Sequence, residues 1–148
     1  MKIKERSAVI TLWANRLVAV VLIALLFAMP GCLEWYARRR VLPRGSMTAI
    51  LVAFYCCAAF VGLALGNIEL LLRNILAKQV FTRKNVRLIR VIRWCCLAVS
   101  LVCVPATFYY LPLVFVVVIM AFMWLMVSVV ADVMDAAVLL REESDLTI

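Results

Sequence analysis

The chain has 148 residues, of which 68% are apolar and 16% charged, with a mean hydropathy of +1.12. A soluble domain is roughly half apolar and about a quarter charged, so a water-soluble globule of this length is excluded, and bilayer hydrocarbon is the natural solvent for the excess apolar surface. The net charge is +8, which in such a composition points to the asymmetric placement of cations across a membrane rather than to nucleic acid.

Charged residues punctuate the sequence into apolar blocks. The first, Leu17 to Leu33, is free of charge and extends backward through Ser7–Arg16, which predicts a helix near 8–30. It ends in "LFAMPGC", faintly like a lipoprotein signal, but Met29 and Pro30 fit that pattern badly and the lead is long for a signal peptide. An uncleaved helix is expected. Asn15 and Arg16 lie about two turns inside it, so Arg16 must snorkel to the surface or find a carboxylate, with Glu69 or Asp132 as candidates.

The second block, Gly45 to Ile68, predicts a helix near 46–70 that closes on "GNIELLLRN". Glu69 and Arg73 stand four apart, in the favourable order for an ion pair on one helix face. The alternative for Glu69 is a proton-carrying carboxylate of a transporter.

A basic segment follows, residues 73–93, in which Arg83, Lys84, Arg87, Arg90 and Arg93 fall within eleven positions. Thr82 suits an N-cap, its hydroxyl accepting from a backbone N–H two or three residues on. The helix it starts carries its cations on roughly half the circumference, with Phe81, Leu88, Ile89 and Ile92 on the other side. Such a face suits anionic lipid headgroups at the cytoplasmic surface or a cytosolic protein partner. Direct nucleic-acid reading is not expected, because no helix-turn-helix pattern is visible and only Trp94 interleaves.

The last block, Trp94 to Ala131, is uncharged for 38 residues. A single helix of that length would reach about 57 Å, nearly twice the hydrocarbon thickness. The block therefore folds back at "TFYYLPL", giving helices near 91–110 and 112–134. Pro112 suits the first turn of a new helix, and Pro105 is expected to kink the one before it. Tyr109 and Tyr110 suit the membrane interface.

The chain then leaves through an acidic tail, residues 135–148. On a helix, Asp132, Asp135, Glu142 and Glu143 share an arc of about 100°, with Arg141 pointing the opposite way; Asp145 follows. Because the third and fourth helices are joined by a tight turn, their far ends must be neighbours. Acids of the tail are therefore expected to face Arg87, Arg90 or Arg93.

The fold class expected is all-α, a polytopic integral membrane protein with four transmembrane helices in one domain. With the N-terminus inside, the cytoplasmic side holds twelve Lys and Arg and the outer side four, Arg38, Arg39, Arg40 and Arg44, so both termini are expected in the cytoplasm. Six cysteines lie in or beside apolar runs, with no C-x-x-C and no histidine to complete a zinc set. They read as packing residues. No catalytic, cofactor-binding or metal-binding constellation is visible: there is no nucleophile elbow, no phosphate loop, and the serines lack a base. An enzyme is not expected.

"NILAKQVFTRKNVRLIRVIRW", followed by two spans and a terminal "LREESDLTI", resembles the domain of unknown function family 2975, four-helix bacterial membrane proteins. The resemblance lies in Phe81 and Thr82 before Asn85 and Arg90, and in Glu143, Asp145, Leu146, Thr147 and Ile148. It implies no site residues. It does imply a gene that often neighbours a small helix-turn-helix regulator, hence a membrane-bound accessory to a transcription factor. The expected function is that of a regulatory or interaction module in the bacterial inner membrane, working through residues 78–93 and 132–148. The alternative is a small transporter or channel acting as an oligomer, although the hearts of all four spans lack a carboxylate.

Overall fold

The computed structural model describes residues 2–39 and 45–147, with side chains from Arg6 onward in the first helix. Arg40 and Arg44 of the arginine cluster, the side chains of Lys2 and Lys4, and Ile148 lie outside the described residues. Four α-helices make up the described chain: α1 (Lys2–Arg39), α2 (Ser46–Leu76), α3 (Arg83–Thr107) and α4 (Leu113–Leu146). All four are long and apolar enough to cross a membrane. Even α3, at 25 residues, reaches about 38 Å against a hydrocarbon layer of about 30 Å.

Three helices run past the expected apolar bounds because nothing in their polar flanks breaks a helix. α1 continues to Arg39 straight through Pro30. A proline at this position has no N–H to give the carbonyl four residues back, Leu26. The gap is filled from the neighbouring helix: the Tyr55 hydroxyl of α2 donates to Leu26 O at 3.2 Å. α4 likewise runs without interruption from Leu113 to Leu146, so the acidic tail is helical. α3 also runs past its expected start, back to Arg83, but it stops at Thr107, three residues before its expected end, where the backbone N–H groups of Tyr109 and Tyr110 both donate to Ala106 O and the chain turns.

The helices form an open, sequential array. α1 packs on α2, α2 on α3, and α3 on α4; among the described residues no other pair of helices is in contact. The core accordingly sits on α3. Val86, Ile89, Ile92, Cys96, Val99, Cys103 and Ala106 are buried, at steps of three and four that face both flanking helices. Small residues let the partners approach: Ala58 of α2 and Ala131 of α4 are buried. Cys57 of α2 and Cys103 of α3 meet with their sulfurs 3.6 Å apart, and all six cysteines are free thiols. Outward faces remain apolar, as at Phe27 and Phe115, which are 83% and 74% exposed.

At one end of the array, here the hairpin end, the α3–α4 turn touches α1: the rings of Tyr36 and Tyr110 meet edge to face at 6.4 Å. Pro112 stands just before α4, as a residue that ends a turn and starts a helix. The opposite end, the linker end, carries residues 77–82 between α2 and α3 together with the end of α4.

Candidate functional site

The linker end is built by a short, tightly bonded connection. α2 closes with Lys78 N–H donating to Ile75 O and Gln79 N–H to Asn74 O, a Schellman arrangement. It requires a left-handed residue, and the chain supplies Lys78, at φ 61°, where glycine is the usual choice. Asn85 then fastens the linker from beneath. Its side chain is fully buried, accepts from Asn74 Nδ2 at 2.8 Å, and donates to the carbonyls of Gln79 (2.7 Å) and Val80 (2.8 Å). Thr82 holds the N-cap position with an extended backbone, but its hydroxyl makes no capping bond. The carbonyl serves instead, accepting from Asn85 N–H and Val86 N–H. With the helix starting at Arg83, Phe81 lies outside its apolar face and is 43% exposed.

This linker aims the basic start of α3 at the tail of α4. Arg83 grips Glu142 with two nitrogens, Nε at 2.9 Å and Nη2 at 2.6 Å, one to each carboxylate oxygen. Two helical turns further in, Arg90 donates to Asp135 at 2.8 Å. Arg83 and Arg90 are seven residues apart, as are Asp135 and Glu142, so in an antiparallel pair the two contacts follow from one register. Between them Val86 and Val138, each 3% exposed, form the apolar seam. The hydrogen bonds from Arg83 hold the Glu142 carboxyl below the usual carboxylate range, against an opposing effect of burial.

Of the three arginines expected to face acids of the tail, Arg90 is the one that does, and a further pair forms at Arg83. Arg83 takes the second acid, because the α4 helix reaches far enough to meet the first turn of α3. Arg87 and Lys84 are exposed, and neither pairs with an acid among the described residues. Arg93, which the same register sets opposite Asp132, forms no ion pair among the described residues and instead lies over the Trp94 ring at 5.8 Å. Asp132 borders a small recess with Arg83 and Asp135. Glu143 is exposed, its carbonyl accepting from the Thr147 hydroxyl.

A cleft of about 560 Å³ opens between the linker and the tail. Lys78, Arg83, Lys84, Arg141, Glu142 and Asp145 supply its charges, with Phe81 and Val138 as apolar wall. Arg141, on the opposite side of the tail from the acids by periodicity, borders the same cleft as Glu142.

A second polar cluster joins α1 to α2. Glu69 accepts from Arg73 at 2.7 Å and from Arg16 at 3.3 Å. Asn15, buried, donates to Leu65 O at 3.2 Å. Of the two acids open to Arg16, Glu69 is the one it meets, and Asp132 on α4 lies on a helix that α1 does not touch.

The sequence reading gives no role to Asn74 or Tyr55, and gives Lys78 a charge but not its left-handed turn. For Asn74 and Asn85 a signal exists: two amides flanking a short linker between helices, in a chain with few polar side chains to spare. No curated protein and no solved structure matches this chain. A family model does, over residues 9–148, under the description "Protein of unknown function (DUF2975)". Its match takes in α1 from Val9 onward, the other three helices, the Asn85-fastened linker and the α4 tail, and on that extent the chain belongs to the DUF2975 family.

Proposed function

We propose that this protein is a multi-pass protein of the bacterial inner membrane, with both termini in the cytoplasm, and that its linker end is an interaction surface for a cytosolic protein. The role is regulatory, as accessory to a helix-turn-helix transcription regulator. Membrane insertion is supported by four long helices whose outward faces stay apolar. Orientation is supported by the excess of Lys and Arg that the linker end gathers. The regulator is suggested by the gene neighbourhood that the family resemblance implies.

The observation that carries the interaction reading is the charged cleft itself. A helical tail is held across a basic helix start by exposed ion pairs, with cations left over beside it. Arg87, Arg90 and Arg93, with Trp94 below them, suit anionic headgroups where α3 enters the bilayer. A transport role is less well supported, since Glu69, a carboxylate at a span boundary, is already engaged by two arginines.

The test is co-purification of the solubilised full chain from its own cells, compared with a chain lacking residues 141–148. A cytosolic DNA-binding partner that is captured by the full chain and lost on deletion is the expected result. No capture, together with unchanged transcription on deletion, overturns the reading. An impermeant amine label that reaches Lys84 from outside intact cells overturns the orientation.

A further inference from the structure

We propose that the cleft between the α2–α3 linker and the α4 tail binds an acidic peptide segment of a soluble partner, and that Glu142 occupies the carboxylate position of that site until the partner displaces it. The proposal deepens the interaction reading and rests on it for the partner's solubility, though not for the chemistry of the site.

Three features converge. First, the site is already shaped for a carboxylate. Arg83 presents Nε and Nη2 in a two-pronged grip on both oxygens of Glu142, the geometry that distinguishes arginine as a carboxylate reader. Second, the charge is unbalanced toward the ligand. Four cations, Lys78, Arg83, Lys84 and Arg141, line the cleft against two carboxylates, Glu142 and Asp145. When the end of the tail swings away it takes Arg141 and Asp145 with it, and three cations, Lys78, Arg83 and Lys84, are left with none of the cleft's carboxylates. Exposed Phe81 offers an apolar contact beside them. Third, the internal ligand is easily removed. Beyond Val138 no described residue of α4 is buried, so the end of the tail is held by Glu142 and not by packing.

Position decides between a peptide and a lipid surface. Arg83 precedes Trp94, where the uncharged run begins, by eleven residues, which on a helix is about 16 Å. The polar headgroup layer is only about 5–7 Å deep on each side. The cleft therefore stands in water above the headgroups, within reach of a soluble chain.

The experiment uses the full chain in nanodiscs of zwitterionic lipid. The probe is a fluorescein-labelled peptide of four glutamates around one leucine, with the all-glutamine counterpart as control, followed by anisotropy at about 50 mM salt, where screening is modest. The glutamate peptide should bind and the glutamine peptide should not. Glu142→Gln should tighten binding about 3–5-fold, the range open to an exposed competing pair. In the Glu142→Gln background, where no internal competitor offsets the loss, Arg83→Gln should weaken it about 3–5-fold, with Arg83→Lys between the two, since it keeps the charge and loses the fork. Both positions are exposed, and unchanged tryptophan fluorescence confirms that each variant is folded. Equal or weaker binding by Glu142→Gln overturns the proposal, as does indifference to Arg83→Gln in the Glu142→Gln background. So does loss of peptide binding in nanodiscs of anionic lipid at the same salt, which would mean that headgroups take the cleft. If a cellular partner is captured but Glu142→Gln does not alter peptide binding, the proposal fails and the interaction reading stands. Tightening by Glu142→Gln without any captured partner gives the converse.

Discussion

Pro30 and Tyr55 should be energetically coupled, although they sit on different helices and their side chains serve different ends. The proline leaves Leu26 O without its intrahelical donor, and the Tyr55 hydroxyl supplies one at 3.2 Å. Tyr55→Phe removes that donor and leaves a carbonyl in apolar surroundings. Side-chain hydrogen bonds between membrane helices contribute about 0.6 kcal/mol on average and at most about 1.7. The length of this bond places it in the middle of that range, so the expected loss is about 1 kcal/mol. Pro30→Ala restores the N–H that Leu26 O lacks. In that background Tyr55→Phe should cost no more than about 0.3 kcal/mol, because the carbonyl is already satisfied. The double-mutant cycle should therefore return a coupling of about 0.7 kcal/mol. Unfolding in mixed micelles by increasing sodium dodecyl sulfate, followed by tryptophan fluorescence, measures all four corners. A Tyr55→Phe cost that is the same with and without the proline would refute the reasoning and make the Tyr55 contact incidental.

Three other outcomes follow from the linker end. Lys78→Gly should raise stability by about 0.5–1 kcal/mol in the same assay, because glycine adopts the left-handed conformation without the Cβ clash that lysine suffers there. Asn85→Ala should cost about 2–3 kcal/mol, since it strands two linker carbonyls and the Asn74 amide in a buried place; a loss under about 0.5 kcal/mol would mean that the linker is held by other means. Acidification should release the tail. Glu142 titrates below its ordinary 4.5 when held by Arg83, so the docked tail is favoured above that pH and its advantage is lost as pH falls through the lowered value. Amide exchange over residues 139–147, corrected for intrinsic rate, should therefore accelerate below about pH 4.5 in the wild type and show no such step in Glu142→Gln.

The sequence makes the four helices plain, because charges and turn residues interrupt the apolar blocks. It says much less about which faces meet. α1 and α4 are apolar nearly all round, so periodicity marks no packing side on them, and neither the open array nor the Tyr55–Leu26 contact is legible. α3 is different. Its basic start separates a charged from an apolar face, and Ile89 and Ile92 lie buried where the pattern puts them. The pairing of Arg90 with the tail was open to the same reasoning, because the tight turn at Pro112 makes α3 and α4 neighbours. The partner of Arg83 is not legible, because the helical reach of the tail decides it and nothing in "REESD" fixes where the helix ends. Thr82 shows a further limit. Its type suits a cap, but the fully engaged Asn85 beneath leaves the capping work to the Thr82 carbonyl.

A molecule whose helices each lean on the one synthesised before has no closing step. α2 can settle on α1, and α3 on α2, before the remainder has left the ribosome, and the last helix needs only the third to complete its seam. Every seam joins helices consecutive in the chain, which keeps loop-closure entropy low and favours rapid assembly. The edge-to-face touch of Tyr36 on Tyr110 ties α1 to the turn after α3, and it is available before the α4 seam has formed, so the last helix is guided onto an array whose other three members are already in place.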